Sequence, residues 1–394
     1  MKKYSRILIS LAVGWSLMYA SGTVITDSFY SDALETTRYM KIYLPDGYDT
    51  STEYYPVIYF LHGGSSNHNS YSNIYYHLDT LIEYGHVEPL IMVKPDASVG
   101  PYYGSCYTNS ALYGDFEDYI VYDLIEYIET AYRAIPSRDQ RTIMGHSMGG
   151  SGALKQAFKH PDIYRAVVDH SGLVDYSVML QLYVPLILAA NGGTSPYIYN
   201  PNASVFTGVA FTLCGAFSPD TTDPPYYVDF ILDTLGNIDS TVYELWRLHD
   251  TPYLAHQLQP DTMAIYMDCG MSDEYYCYPL HEALVESLDV IGLPYQWHPY
   301  SGNHSNQLDV RFPIAIAFLD SVMCTGVEEG SQIELTGKDY IGATIFRGPL
   351  VLPADRHYEV FDVTGRKVDV SRLSPGVYYV FANGDFATKV VKVK

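Results

Sequence analysis

"RTIMGHSMGGSGALKQAFKHPDIY", residues 141–164, sets one serine, Ser147, between Gly145 and Gly149 and runs directly into a helix-like stretch. A glycine two places before and two after the serine is what a sharp strand-to-helix turn needs, because a side chain at either place collides with neighbouring backbone. Such a turn lifts the hydroxyl out of the fold.

Working outward, short apolar runs recur on both sides. "YPVIYFLHGG" (55–64), "LIMVKPD" (90–96), "RTIMG" (141–145), "YRAVVDHSG" (164–172), "TMAIYMDCG" (262–270) and "PYQWHPYSG" (294–302) each end in Gly, Asp or another turn former and read as strands. Between them lie helices. In "GDFEDYIVYDLIEYIETAYRAI" (114–135), Tyr119, Val121, Tyr122, Leu124, Ile125, Ile128 and Tyr132 fall near one apolar stripe. Strands alternating with helices predict an α/β fold with a mostly parallel sheet covered on both faces.

The rhythm breaks between Asp175 and Pro260, where no clear strand is found. Helix-like pieces such as "YVDFILDTLG" (227–236) and "VYELWRLHDTPYLAHQL" (242–258) flank a Pro-rich turn, "SPDTTDPPYY" (218–227). Insertions after a strand's carboxyl end sit over the site in open sheets, so residues at about 175–260 are expected to form either a wall of the substrate pocket or an extra structural layer.

After Val322 the character changes. Residues 331–353 and 357–394 alternate apolar and polar side chains, with turns at "TGR", "SPG" and "NGD", and predict a small all-β sandwich over residues 325–394. It gathers Arg366, Lys367, Arg372, Lys389, Lys392 and Lys394, whereas the chain as a whole carries 45 Asp and Glu against 23 Lys and Arg, a net charge of −22 over 394 residues. That balance repels phosphate backbones and argues against a nucleic-acid partner.

Residues 1–22, "MKKYSRILISLAVGWSLMYASG", place Lys2, Lys3 and Arg6 before an apolar run at 7–18 and small residues at 20–22. The run is short for a membrane span of roughly 30 Å and reads as a cleaved signal peptide. That leaves residues 23–324 as the main domain. Export makes the odd set Cys106, Cys214, Cys269, Cys277 and Cys324 a disulfide question. A Cys269–Cys277 bridge and buried free thiols both remain open.

A hydroxyl near neutral pH needs a base in reach, a carboxylate behind that base and donors for an oxyanion. In this sheet architecture the order is serine, acid, histidine, each partner on a loop after a later strand. The loop "CGMSDEYY" (269–276) presents Asp273, with Glu274 and Asp268 as alternatives. The loop "SGNHSNQL" (301–308) presents His304 ahead of the helical "VRFPIAIAFLDSV" (310–322). His146 inside the turn is expected to point away from the hydroxyl, His62 to support the oxyanion loop, and His170 to line the pocket. The oxyanion donors are expected at the Met148 and Gly64 N–H groups, Gly64 ahead of Gly63. No paired-ligand spacing suggests a metal, and the mechanism requires no cofactor.

These residues bring a family into view. From about residue 37 to 322 the chain resembles the esterase D group of α/β-hydrolases, which includes feruloyl and acetyl-xylan esterases, S-formylglutathione hydrolases and the antigen 85 mycolyltransferases. The resemblance rests on "YPVIYFLHGG", on residues 102–172 with "GDFEDYI…R…GHSMGG", and on the "CGMSD" and "SGNH" loops. It implies an α/β-hydrolase fold with a helical insertion, Ser147 as nucleophile, Asp273 as acid, His304 as base, and Met148 and Gly64 as oxyanion donors. Two departures stand out. Asn306 replaces the family's aromatic residue two places after the histidine, and the 175–260 insertion is variable in the family.

The tail, "YEVFDVTGRKVDVSRLSPGVYYVFANGDFATKVVKVK", resembles the sorting domain of the type IX (Por) secretion system, which implies secretion or surface attachment by way of the periplasm. A structural or carbohydrate-binding sandwich is the alternative, but no Trp lies there to form a sugar platform. The resulting expectation is an exported serine esterase acting on a small-molecule or polysaccharide ester, acyl or feruloyl. Acyl transfer of the mycolyltransferase type and a non-catalytic surface-displayed binding protein are the alternatives. Tyr102, Tyr103 and Tyr107 are candidates to meet an aromatic acyl group or a sugar.

Overall fold

The computed structural model describes residues 21–200, 202–260, 262–323, 343–346, 358–362, 366–374, 376–382 and 385–392. The proposed signal segment lies outside them except for its last two residues, as do Cys324 and much of the tail. Eight strands form the central sheet: β1 (Thr23–Ser31), β2 (Thr36–Leu44), β3 (Val57–Leu61), β4 (Ile91–Pro95), β5 (Arg141–His146), β6 (Ala166–His170), β7 (Ala264–Gly270) and β8 (Gln296–Tyr300). Their order is β1-β2-β4-β3-β5-β6-β7-β8. Every pair from β4 across to β8 is parallel, whereas β1 and β2 form an antiparallel hairpin whose inner strand joins β4 antiparallel.

β3 shows why the sheet needs two covers. All five of its side chains are buried, but Val57, Tyr59 and Leu61 pack into one apolar cluster while Ile58 and Phe60 pack into another. Successive strand side chains point to opposite faces, so a continuous apolar run requires cover on both. One cover includes the helical stretch formed by Phe116–Asp118, a π turn at Tyr119–Asp123 and α2 (Leu124–Ala131), together with α3 (Met148–Lys159). The other comprises α1 (Asn73–Glu83) and α9 (Leu308–Met323), which pack on each other. Burying each large side chain contributes about 1.5–3 kcal/mol.

The insertion is helical: α4 (Tyr176–Ala190), α5 (Val205–Phe217), α6 (Ser240–Arg247) and α7 (Thr251–Ala255). Side-chain caps start three of them. Asp175 accepts from the Val178 N–H, Ser204 from the Thr207 N–H, and Asp239 from the Thr241 and Val242 N–H groups. Residues 227–236, expected as helix, are instead irregular and held by the bridges Pro219↔Val228 and Leu232↔Ile238. Asp233 explains part of this. Its carboxylate accepts from the Leu235 and Asn237 N–H groups and closes a turn that competes with helix. α8 (Cys277–Ile291) follows β7 and ends at Gly292, whose φ of +72° suits glycine.

In the tail, β9 (Ala343–Phe346), β10 (Tyr358–Asp362), β11 (Gly376–Ala382) and β12 (Asp385–Lys392) form a sheet in the order β9-β12-β11-β10. β9 runs parallel to β12 and the other pairs are antiparallel. Among the described residues this is one sheet, with a separate small core of Val360, Leu373, Tyr378 and Val380. No described helix is long and apolar enough to cross a membrane.

Candidate active site

The corner at Ser147 is as sharp as its glycines predict. Ser147 sits at φ +59°, ψ −122° between β5 and α3, a conformation costing on the order of 1–3 kcal/mol for a residue with a side chain. A Cβ on Gly145 would overlap the Gly149 carbonyl, and one on Gly149 would overlap the Leu61 carbonyl of β3. The serine N–H donates to the His170 carbonyl at 2.8 Å, and its own carbonyl accepts from the Ser151 N–H at 3.0 Å, which pins both sides of the turn.

Two later loops converge on this corner. Asp273 follows β7, and its Oδ2 lies 2.7 Å from His304 Nδ1. Asp273 and His304 are buried, and His304 lines a cavity of about 440 Å³ that Ser147 also lines. Burial pushes the Asp273 carboxyl up, but the hydrogen bond and charge from His304 and the amides of Tyr275 and Cys277 outweigh it, so it stays below its ordinary value. Glu274 takes a different part: its carboxylate accepts the His304 backbone N–H at 3.0 Å. Asp268 remains on β7, fully buried, 2.8 Å from His170 Nδ1.

His146 and His62 hold the frame. His146 Nε2 donates to the His304 carbonyl at 2.9 Å, which leaves Nδ1 to accept from the Tyr71 hydroxyl at 2.9 Å. Burial, then the neighbouring His304, hold its pKa down to about 3, so it is a neutral brace. His62 Nδ1 donates to the Gly63 carbonyl and its Nε2 accepts the Ala97 N–H, and burial lowers it to about 4. The expected pocket position of His170 is corrected: its ring packs edge-on against Phe312, on the α9 side of the sheet, and does not line the cavity.

Both expected oxyanion donors border the cavity. Met148 opens α3, where the first N–H groups have no partner within the helix. Around Gly64, the Ser65 N–H is taken by the Tyr103 carbonyl and the Ser66 N–H by Gly63. Neither the Met148 nor the Gly64 N–H has a backbone acceptor among the described residues. At Asn306 the histidine loop is closed by hydrogen bonds: Asn303 and Asn306 exchange side-chain and backbone bonds at 2.9 and 3.0 Å.

The insertion supplies a wall of the cavity through Tyr176, Val205, Val209 and Leu213. Of the three tyrosines singled out, only Tyr103 lines it; Tyr102 and Tyr107 are buried and bond the Tyr226 and His62 carbonyls. Tyr71, Tyr275 and Lys155 were not legible as cavity residues. Lys155 lies two turns along α3, where it donates to the Cys106 carbonyl and Thr108 hydroxyl, and burial lowers it to about 7. The Cys269–Cys277 bridge is also corrected. Both are free thiols, Cys269 Sγ 3.6 Å from Asp273 Oδ2 and Cys277 Sγ 4.0 Å from His304 Nδ1.

A parallel sheet with a serine at such a strand–helix corner, an acid after β7 and a histidine after β8 defines an α/β-hydrolase. The family model described as "Putative esterase" matches residues 31–308, and the chain belongs to that family. Esterase Rv1288 of Mycobacterium tuberculosis (strain ATCC 25618 / H37Rv) is 30% identical over 144 residues, 36% of this chain and 31% of that protein. Endo-1,4-beta-xylanase Y of Acetivibrio thermocellus is 30% identical over 144 residues, 33% of this chain and 12% of that protein. The matched stretch thus spans under a third of these curated relatives. Among solved structures, a ferulic acid esterase superposes with a TM-score of 0.56 at 21% identity, covering 77% of this chain and 99% of its own. An S-formylglutathione hydrolase from Staphylococcus aureus gives 0.52 at 20%, covering 76% and 100%. These two share the fold.

Proposed function

We propose that the protein is an exported serine carboxylic ester hydrolase. The observation that carries the reading is the 2.7 Å bond from Asp273 Oδ2 to Nδ1 of His304, a residue that lines the same cavity as Ser147. Asp273 keeps the proton on Nδ1, so Nε2 is left with the lone pair that takes the serine proton. Ser147 Oγ attacks the ester carbonyl, and the Met148 and Gly64 N–H groups hold the oxyanion, each donor contributing about 3 kcal/mol. His304 returns the proton to the leaving alcohol; water, deprotonated by the same imidazole, then releases the acid from the acyl-enzyme.

The cavity walls, with Tyr71, Tyr103, Tyr176 and Tyr275 among them, favour an apolar or aromatic acyl group such as a feruloyl ester of a polysaccharide. Acetyl, longer acyl and feruloyl esters assayed on wild type beside Ser147→Ala test the reading. A loss on the order of 10⁶-fold in kcat is expected in the variant. Unchanged turnover refutes the mechanism. Export rests on the basic and apolar segment at 1–22 and on the tail's resemblance to a type IX sorting domain. Deleting residues 325–394 is expected to strand the chain in the periplasm; normal release to the surface or medium contradicts that part.

A further inference from the structure

A carboxylate oxygen of Asp273, Cys277 Sγ and a ring nitrogen of His304 all lie within 4.8 Å of one another, and all three residues are buried; Nδ1 is 2.7 Å from Asp273 Oδ2 and 4.0 Å from Cys277 Sγ. No spacing in the sequence marks this set, because β8 and the loop after it bring His304 back across 27 residues to the first turn of α8. Carboxylate, thiolate and imidazole together form a donor set suited to zinc or cadmium rather than to a hard cation. Tetrahedral binding at about 2.0–2.3 Å requires the Sγ–Nδ1 separation of 4.0 Å to close by a few tenths of an ångström and the 2.7 Å Nδ1–Oδ2 separation to open. Cys277 and His304 both border the cavity, so an ion has a route in. Cys269 bonds the same carboxylate but lies outside the set.

We propose that Asp273, Cys277 and His304 form an inhibitory site for a thiophilic divalent cation, zinc or cadmium. The ion displaces the Cys277 thiol proton to solvent and takes the Nδ1 lone pair of His304, so the single proton of the neutral imidazole moves to Nε2. An Nε2 that carries a proton cannot accept one from Ser147. The loss of activity therefore rests on the hydrolase reading above, whereas the binding does not.

Cadmium chloride is titrated into the full-length protein, following the ultraviolet thiolate-to-cadmium band, and zinc chloride is added to the ester assay with reversal by EDTA. One band-forming cadmium per chain is expected in wild type, Ser147→Ala and Cys269→Ser, and none in Cys277→Ser. Losing a direct ligand costs at least as much as the roughly 10- to 100-fold typical of losing a supporting partner. Zinc inhibition of Cys277→Ser, relative to its own uninhibited rate, is expected to weaken by at least that factor. In unmutated protein, cadmium is also expected to slow alkylation of Cys277, read by peptide mass, so the site stands or falls even should the variant misfold. No band in wild type, or no protection of Cys277, overturns the proposal. A band without any esterase activity upholds the site and refutes the hydrolase reading instead.

Discussion

Adjacent carboxylates after β7 divide their work by which atom of His304 each meets. Asp273 holds the ring and Glu274 holds the backbone N–H. Asp273→Asn presents an amide where Nδ1 needs an acceptor and favours the wrong tautomer, so kcat is expected to fall about 10⁴-fold while the fold persists. Glu274→Gln keeps an acceptor for the His304 N–H, and its kcat/KM is expected to stay within about threefold of wild type. Steady-state kinetics of the two variants separate the roles; equal losses contradict the division. Loop position after β7 set Asp273 and Glu274 apart from Asp268, which stays on the strand, but only the contacts in the fold show which of the two meets the imidazole. His170 was misjudged because its position at the end of β6 does not reveal which face of the sheet its ring enters.

At the scale of elements, a third buried histidine–carboxylate pair, beside those at His304 and His170, ties α8 to β6. His281 Nδ1 faces the Cys277 carbonyl at 2.8 Å and Nε2 faces Asp169 Oδ2 at 2.6 Å, so beside an ionised Asp169 both ring nitrogens donate, the arrangement of a charged imidazole. The ring stacks on Trp297 at 5.1 Å, and the pair is wholly buried. Burial lowers the His281 pKa, but the Asp169 carboxylate outweighs it and raises it well above the ordinary value of 6.5. A raised folded pKa contributes stability that is complete below about 6.5 and is lost as pH climbs through the folded value. His281→Gln is expected to lose on the order of 3 kcal/mol near neutral pH. Urea melts at about pH 6 and about pH 10 are expected to show that deficit narrowing toward the alkaline end. A constant deficit contradicts a charged His281. Asp169 also lies under the start of α3, where a Cβ on Gly150 would meet its carboxylate, so the pair supports the helix that follows Ser147.

For the whole molecule, the division of cores decides what the tail can influence. The two large clusters on either side of the central sheet share no member with the small core at Val360, Leu373, Tyr378 and Val380. All cavity residues fall between Gly63 and Ser305. A chain lacking residues 325–394 is therefore expected to keep kcat/KM on a soluble ester within about twofold of the full chain. A large loss contradicts functional independence of the tail. β1 was illegible as a strand because it lies at the sheet edge with much of it exposed, so neither an apolar run nor a clean alternation marks it.

By itself the sequence determined the parallel sheet, the serine corner and the order of its partners, because these depend on local steric need and on strand-end positions that recur along one chain. Tertiary structure alone decided which tyrosine reaches the cavity, that His146 braces His304, and that a thiol from α8 stands beside that imidazole. Those are contacts between segments distant in the chain, and their side-chain directions are set by how the layers pack rather than by any neighbour in sequence.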